Sequence, residues 1–131
     1  MRKKVLMTAL LCVATLGGWA QSGSWSDESN RSTSWGSGYE SATTLTISNA
    51  KEFAQFAYMV NNGKDFGGKT VTLDGAIDLS SHYWTPIGKE GKAFNGTFNG
   101  NGKTISCMYI NEGDGSINQG LFGVVNRAGT V

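Results

Sequence analysis

The chain is poor in the residues that usually announce chemistry. It has one histidine, one proline and two cysteines in 131 residues. Two cysteines exclude a disulfide-stapled miniprotein and any multi-cysteine zinc module. One histidine leaves almost no room for a His-based metal centre or an acid–base triad. Charge of one sign is also lacking: 11 basic groups against 10 acidic ones, with no Lys/Arg stripe, exclude a nucleic-acid binder that works by bulk electrostatics. No apolar run reaches the roughly 20 residues that a membrane-spanning helix needs. The residue in excess is glycine, 19 in all, and glycine with a single proline indicates turns rather than collagen.

The N-terminus reads as a targeting segment. Arg2, Lys3 and Lys4 precede an apolar run from Val5 to Leu16, and Gly18-Trp19-Ala20 supplies the small-x-small pattern of a cleavage site. Residues 1–20 are therefore a signal peptide, and the chain is exported. Cys12 leaves with that segment, so Cys107 is expected as a lone thiol, buried beside Ile105 and Met108.

Residues 21–42 are Ser/Gly-rich and carry Trp25, Trp35 and Tyr39 without apolar periodicity, which reads as a flexible leader. Structure starts at Thr43. Leu45 and Ile47 alternate with threonines as in a strand. Ser48 or Asn49 can cap a helix, Asn49 having Glu52 three residues on as a capping-box partner. Phe53, Phe56, Ala57 and Val60 then form one apolar stripe, and Asn61-Asn62-Gly63 ends the helix. Beyond it the period becomes two: Val71, Leu73, Gly75, Ile77 and Leu79 share one face of an extended run. Phe94, Gly96 and Phe98 mark another strand, and Asn99-Gly100-Asn101-Gly102 a corner. A slip in alternation at Ser106-Cys107 suggests a bulge, and 120–125 reads as a last buried strand. Short strands joined by glycine corners fit either a small antiparallel barrel or a stacked solenoid.

Several motifs resemble one family. Ile47-Ser48-Asn49-Ala50-Lys51-Glu52-Phe53-Ala54, then Phe66-Gly67-Gly68-Lys69-Thr70-Val71-Thr72-Leu73 with Ile77-Asp78-Leu79, then Trp84-Thr85-Pro86-Ile87-Gly88, then Phe94 to Ile105, and finally Gly120-Leu121-Phe122-Gly123 follow the order seen in GLUG-motif secreted bacterial surface proteins of the Bacteroides-like type. The resemblance covers Thr43 to Val131. It implies a mainly β fold, the start of a right-handed parallel β-helix (solenoid) with one N-terminal capping α-helix, Phe53, Phe56 and Val60 serving as a lid over the first rung. It makes Trp84, Pro86, Gly88, Gly96, Gly102, Gly120, Leu121, Phe122 and Gly123 structural motif residues. It also implies that 43–131 is the beginning of a longer stack, with further rungs expected C-terminally. Ala76 and Asn99 stand where the family carries Asp, which argues against a carboxylate-lined calcium site.

Catalytic candidates are thin. Asp74 and Asp78 on one strand would lie about 13 Å apart, beyond the ~5–9.5 Å of glycosidase carboxylate pairs. Asn111 to Ser116 lacks the spacing of a calcium loop. His82 has no second histidine and no H-E-x-x-H occurs, so the peptidase chemistry of some relatives has no residues here. Asn30 and Asn95 head sequons that are incidental in a bacterial protein. Tyr83 and Trp84, beside His82, are the possible ligand contacts, as a sugar-stacking pair; the alternative is that Trp84 packs into the core.

The expectation is thus an exported, extracellular or outer-cell-surface scaffold with no catalytic, metal or cofactor residues. Its partner would be a host glycoprotein or polysaccharide, with no nucleic acid and no membrane span after signal cleavage. The alternatives are the leading segment of a β-helix polysaccharide lyase or glycoside hydrolase, or the cap domain of a secreted peptidase.

Overall fold

The computed structural model describes residues 22–111 and 117–131. The segment expected to be a signal peptide, 1–20, and most of the 111–116 loop lie outside the described residues.

The one α-helix, α1 (Ala50–Asn61), starts and stops where its side chains dictate. Asn49 Oδ1 accepts from the Glu52 amide at 3.0 Å, and Glu52 Oε1 reaches back to the Ser48 amide at 2.7 Å, so two orphan donors of the first turn are satisfied. At the other end the Lys64 amide donates to Met59 O and the Gly63 amide to Val60 O. Gly63 holds φ +106, and this left-handed residue lets the chain fold back over the last carbonyls.

Five short strands are all parallel to their neighbours. β1 (Thr44–Ile47), β2 (Thr70–Leu73) and β4 (Thr97–Asn99) form one sheet in the order β1-β2-β4, and β3 (Ile77–Asp78) pairs with β5 (Ile105–Ser106) in another. In the first sheet Leu45 pairs with Val71, and Val71 with Phe98, all inward; Thr44, Thr70 and Thr97 align outward in the same register. Inward residues alternate with outward threonines because the side-chain period of a strand is two. Val71, Leu73, Ile77 and Leu79 are all buried as their alternation predicts. The run is nevertheless not one strand: it bends at Asp74–Ala76, and its halves enter different sheets.

An aromatic stack centred on Phe56 lies in the buried core. Its ring meets Phe98 at 5.8 Å in parallel, Phe66 at 5.0 Å and Phe94 at 5.5 Å edge-on, and Phe122 at 6.4 Å. Phe53, Phe56, Phe66 and Phe94 are fully buried.

These contacts overturn the expected right-handed parallel β-helix with α1 as its N-terminal lid. Regular pairing among the described residues stops at two open sheets of three and two strands. The 120–125 segment is not a buried strand; it joins through isolated parallel bridges, Ile87 with Phe122 and Phe94 with Val125. Phe53 and Phe56 of the helix meet rings as far along the chain as Phe94, Phe98 and Phe122. The physical reason is strand length: pieces of two to four residues bury too little by themselves, so the bulky stripe of α1 becomes the middle of the core. Cys107, just past β5, is half-buried and has φ 60, where the alternation slips.

Residues 22–42, expected as a flexible leader, lie along this core. Trp25 is buried and its Nε1 donates to Leu79 O at 3.1 Å. Trp35 Nε1 donates to Thr46 O at 2.8 Å, occupying the outer edge of β1. Tyr39 stands edge-on to Phe66 at 4.8 Å, and its hydroxyl accepts from the Phe66 amide. Polar composition concealed this because three aromatic anchors spread over the segment have no period, yet each finds a carbonyl or a ring.

Replacing Phe56 with alanine should cost about 3–5 kcal/mol in urea unfolding, against about 0.5–1.5 for Ile47→Val; similar costs for the two would show that the aromatic stack is not central. A second expectation concerns Glu40, whose carboxylate meets Lys64 Nζ at 2.7 Å. The Lys64 hydrogen bond and charge hold the Glu40 carboxyl below its ordinary value, while Glu40 raises Lys64. The pair therefore contributes above the ordinary carboxylate range and is lost as pH falls through the lowered Glu40 value. Both groups are solvent-exposed, so the effect is small. Comparing Glu40→Gln with the parent across acid pH should show a slight difference near neutrality that vanishes in acid; one that grows in acid would contradict the pairing.

Candidate functional site

Along one flank of α1 the fold leaves an open groove of about 460 Å³, within the ~300–1,000 Å³ of small-ligand sites. One wall is the helix, through Ala54, Ala57, Tyr58 and Asn61. The other is the loop Trp84 to Lys89, with Trp25 and Ser26 near one end and Ile117 and Asn118 completing the lining.

Asn61 sets the spacing of the walls. Its Nδ2 donates to Pro86 O at 3.0 Å and its Oδ1 accepts from the Gly88 amide at 2.8 Å. One amide thus ties the last turn of the helix to both ends of the Pro86-Ile87-Gly88 segment. Gly88 is required there: it holds φ +90, and an added Cβ would strike the Val124 carbonyl. Gly123 answers it, since its own Cβ would fall 2.6 Å from Gly88 O. The two glycines let the loop and the C-terminal segment touch through backbone, with the Gly123 amide donating to Ile87 O at 2.8 Å.

Tyr58, 37% exposed, is the aromatic side chain that the groove presents to solvent. The Arg31 guanidinium lies 3.5 Å above its ring and donates to Gln55 Oε1 at 2.6 Å, so the ring is held by a cation whose direction is fixed by the helix. Trp84 is a different matter. It is buried, stacked on Phe53 at 4.9 Å with planes 9° apart, and its Nε1 donates to Leu121 O. Tyr83 is half-buried and pairs through its backbone with Gly23 and Trp25. The Tyr83–Trp84 pair is therefore not jointly displayed, because successive residues of an extended segment point to opposite sides.

The remaining sequence candidates fall elsewhere. Asp74 and Asp78 are exposed, on opposite sides of the bend, and Asp78 accepts from the Ser80 amide as a turn-former. His82 Nδ1 lies 2.7 Å from Ser22 O and the ring sits edge-on to Trp25, so it anchors the 22–42 segment. Gly96 is buried beside the Phe66 backbone, Gly102 lies in an exposed turn, and Gly120, Leu121 and Phe122 are half-buried against the core. Glu112 to Ser116 of the weighed calcium loop are outside the described residues. Among the described residues no group of three or more His, Cys, Asp or Glu is placed to hold a metal ion, and no helix is long and apolar enough to cross a membrane.

Sequence reasoning passed over Tyr58, Asn61 and Lys89. Tyr58 lies off the apolar stripe of α1, which is a signal for a surface aromatic. Asn61 read only as a helix terminator, and nothing in the sequence pairs it with a loop 25 residues away.

Comparison with known proteins adds little. No family model matches the chain, and no solved structure matches it. A stretch of 61 residues, 47% of the chain, is 39% identical to part of a protein of Evansella cellulosilytica named "Putative Gly-rich membrane protein". The matched stretch spans 7% of that relative's length.

Trp84→Ala should lower stability by about 3–5 kcal/mol, whereas Tyr58→Ala should cost only about 0.5–1, the size of an exposed cation–π contact. Urea unfolding of the two variants checks the assignment; a reversed order would make Trp84 the displayed ring.

Proposed function

We propose that the chain is an exported, non-catalytic binding module of the cell surface, akin to GLUG-motif surface proteins, and that it holds a glycan or glycoprotein in the α1 groove. The observation that carries this reading is the groove itself, where an exposed tyrosine ring, amides and a lysine line two walls fixed by Asn61. Sugars are bound by such mixtures because each ring has an apolar face and a polar rim. The targeting pattern of residues 2–20 supports export, and the ordered motifs from Ile47 to Gly123 support the kinship.

Stability and ligand contact fall on different residues in this reading. Trp84 keeps one wall in place, and Tyr58 with the polar rim meets the ligand. Arg31 orients the Tyr58 ring, and Asn61 uses both ends of its amide to hold the walls.

Screening the purified exported chain on a glycan array should give retention of a subset of glycans, lost in Tyr58→Ala while its unfolding midpoint stays near the parent's. Shortening of the bound glycan on prolonged incubation would overturn the non-catalytic reading. Retention undisturbed by Tyr58→Ala would move the site away from the groove.

A further inference from the structure

The charge around the groove narrows its ligand, granted the binding role proposed above. Among the described residues, Lys89 is the one ionisable side chain of the lining besides Tyr58, and none of the lining residues is a carboxylate. Lys89 is exposed, at the end of the Trp84–Lys89 wall. A second cation stands behind the other wall, where the Arg31 guanidinium covers the Tyr58 ring at 3.5 Å. Its donors go to neutral acceptors, Nη1 to Gln55 Oε1 at 2.6 Å and Nε to Ser26 O at 2.9 Å. The ion pair found among the described residues, Lys64 with Glu40, involves neither of them. Two positive charges thus flank the groove, each without a carboxylate partner among the described residues. A cation held by neutral acceptors keeps its field, and that field reaches about 8–10 Å before salt screens it.

We propose that the groove takes an acidic glycan, a polysaccharide bearing uronate carboxylates. In this arrangement the sugar ring lies against Tyr58 and Pro86, and a carboxylate meets the Lys89 ammonium. Arg31 acts at one remove: it orients the Tyr58 ring and adds to the positive field without giving up its own bonds. Lys89 is the residue that distinguishes an acidic sugar from a neutral one, because a lysine ammonium donates to a carboxylate through a charge-assisted hydrogen bond that an ester or hydroxyl returns more weakly.

The test titrates the exported chain with oligogalacturonate and with its methyl ester, which keeps the sugar backbone and removes the charge. The acid should bind about tenfold tighter or more, the size of one charge-assisted hydrogen bond, and the advantage should shrink as salt rises from about 0.05 to 0.5 M. Lys89→Met should erase most of that advantage, weakening the acid far more than the ester, with the unfolding midpoint near the parent's. Tyr58→Ala should weaken both ligands. Equal affinity for acid and ester, with both lost in Tyr58→Ala, would overturn the acidic preference and leave the groove as a binding site. Failure of both oligogalacturonates to bind, with other glycans retained through Tyr58, would likewise remove the uronate assignment alone. Acid binding that depends on Lys89 but ignores Tyr58→Ala would sink the groove reading as well, since charge alone would then be responsible.

Discussion

The structure depends on the burial of one face of one helix. Strands of two to four residues supply few inward side chains each, and no sheet here could exclude water unaided. The Phe53–Phe56 face of α1 is fully buried, and Phe56 alone meets rings from Phe66 to Phe122. Phe66, Trp84, Phe94, Phe98 and Phe122 each bring a ring to Phe53 or Phe56. The pairing is parallel throughout, with Thr44, Thr70 and Thr97 in one register.

The 22–42 segment completes what the helix begins. The outer edge of β1 would expose carbonyls to any passing strand, and Trp35 takes one of them, at Thr46. Trp25 reaches across to Leu79. These indole donors each join a large apolar surface to a single polar bond, which is how so polar a segment stays in place. Lys69 adds a third tie, its ammonium meeting Ala42 O at 2.7 Å and lying over the Tyr39 ring.

The groove is a by-product of this packing. Because Trp84 turns inward to stack on Phe53, the following residues Thr85 to Lys89 are carried past the helix as a ridge, and Asn61 fastens that ridge. The side of α1 away from the aromatic stack then faces a fixed wall instead of open solvent. Tyr58 and Lys89 gain their proposed roles from that placement. Neither forms part of a recognisable motif.

Much of the local structure was legible in the residues alone. The helix with its Asn49 cap and glycine exit, the inward set Val71, Leu73, Ile77 and Leu79, and the slip at Cys107 all follow from short-range rules of periodicity, capping and turn chemistry. The expected solenoid failed on a longer-range matter. Motif order specifies which segments come in sequence, but whether they close into rungs depends on how far each strand extends and on where α1 packs. The placement of Trp25, Trp35 and Tyr39 was equally hidden, since anchoring by isolated rings leaves no period in a sequence. The groove belongs wholly to that second class. A side chain's identity is local information, but Asn61 facing Pro86 and Gly88 is a contact between distant parts of the chain, made only when the helix is buried.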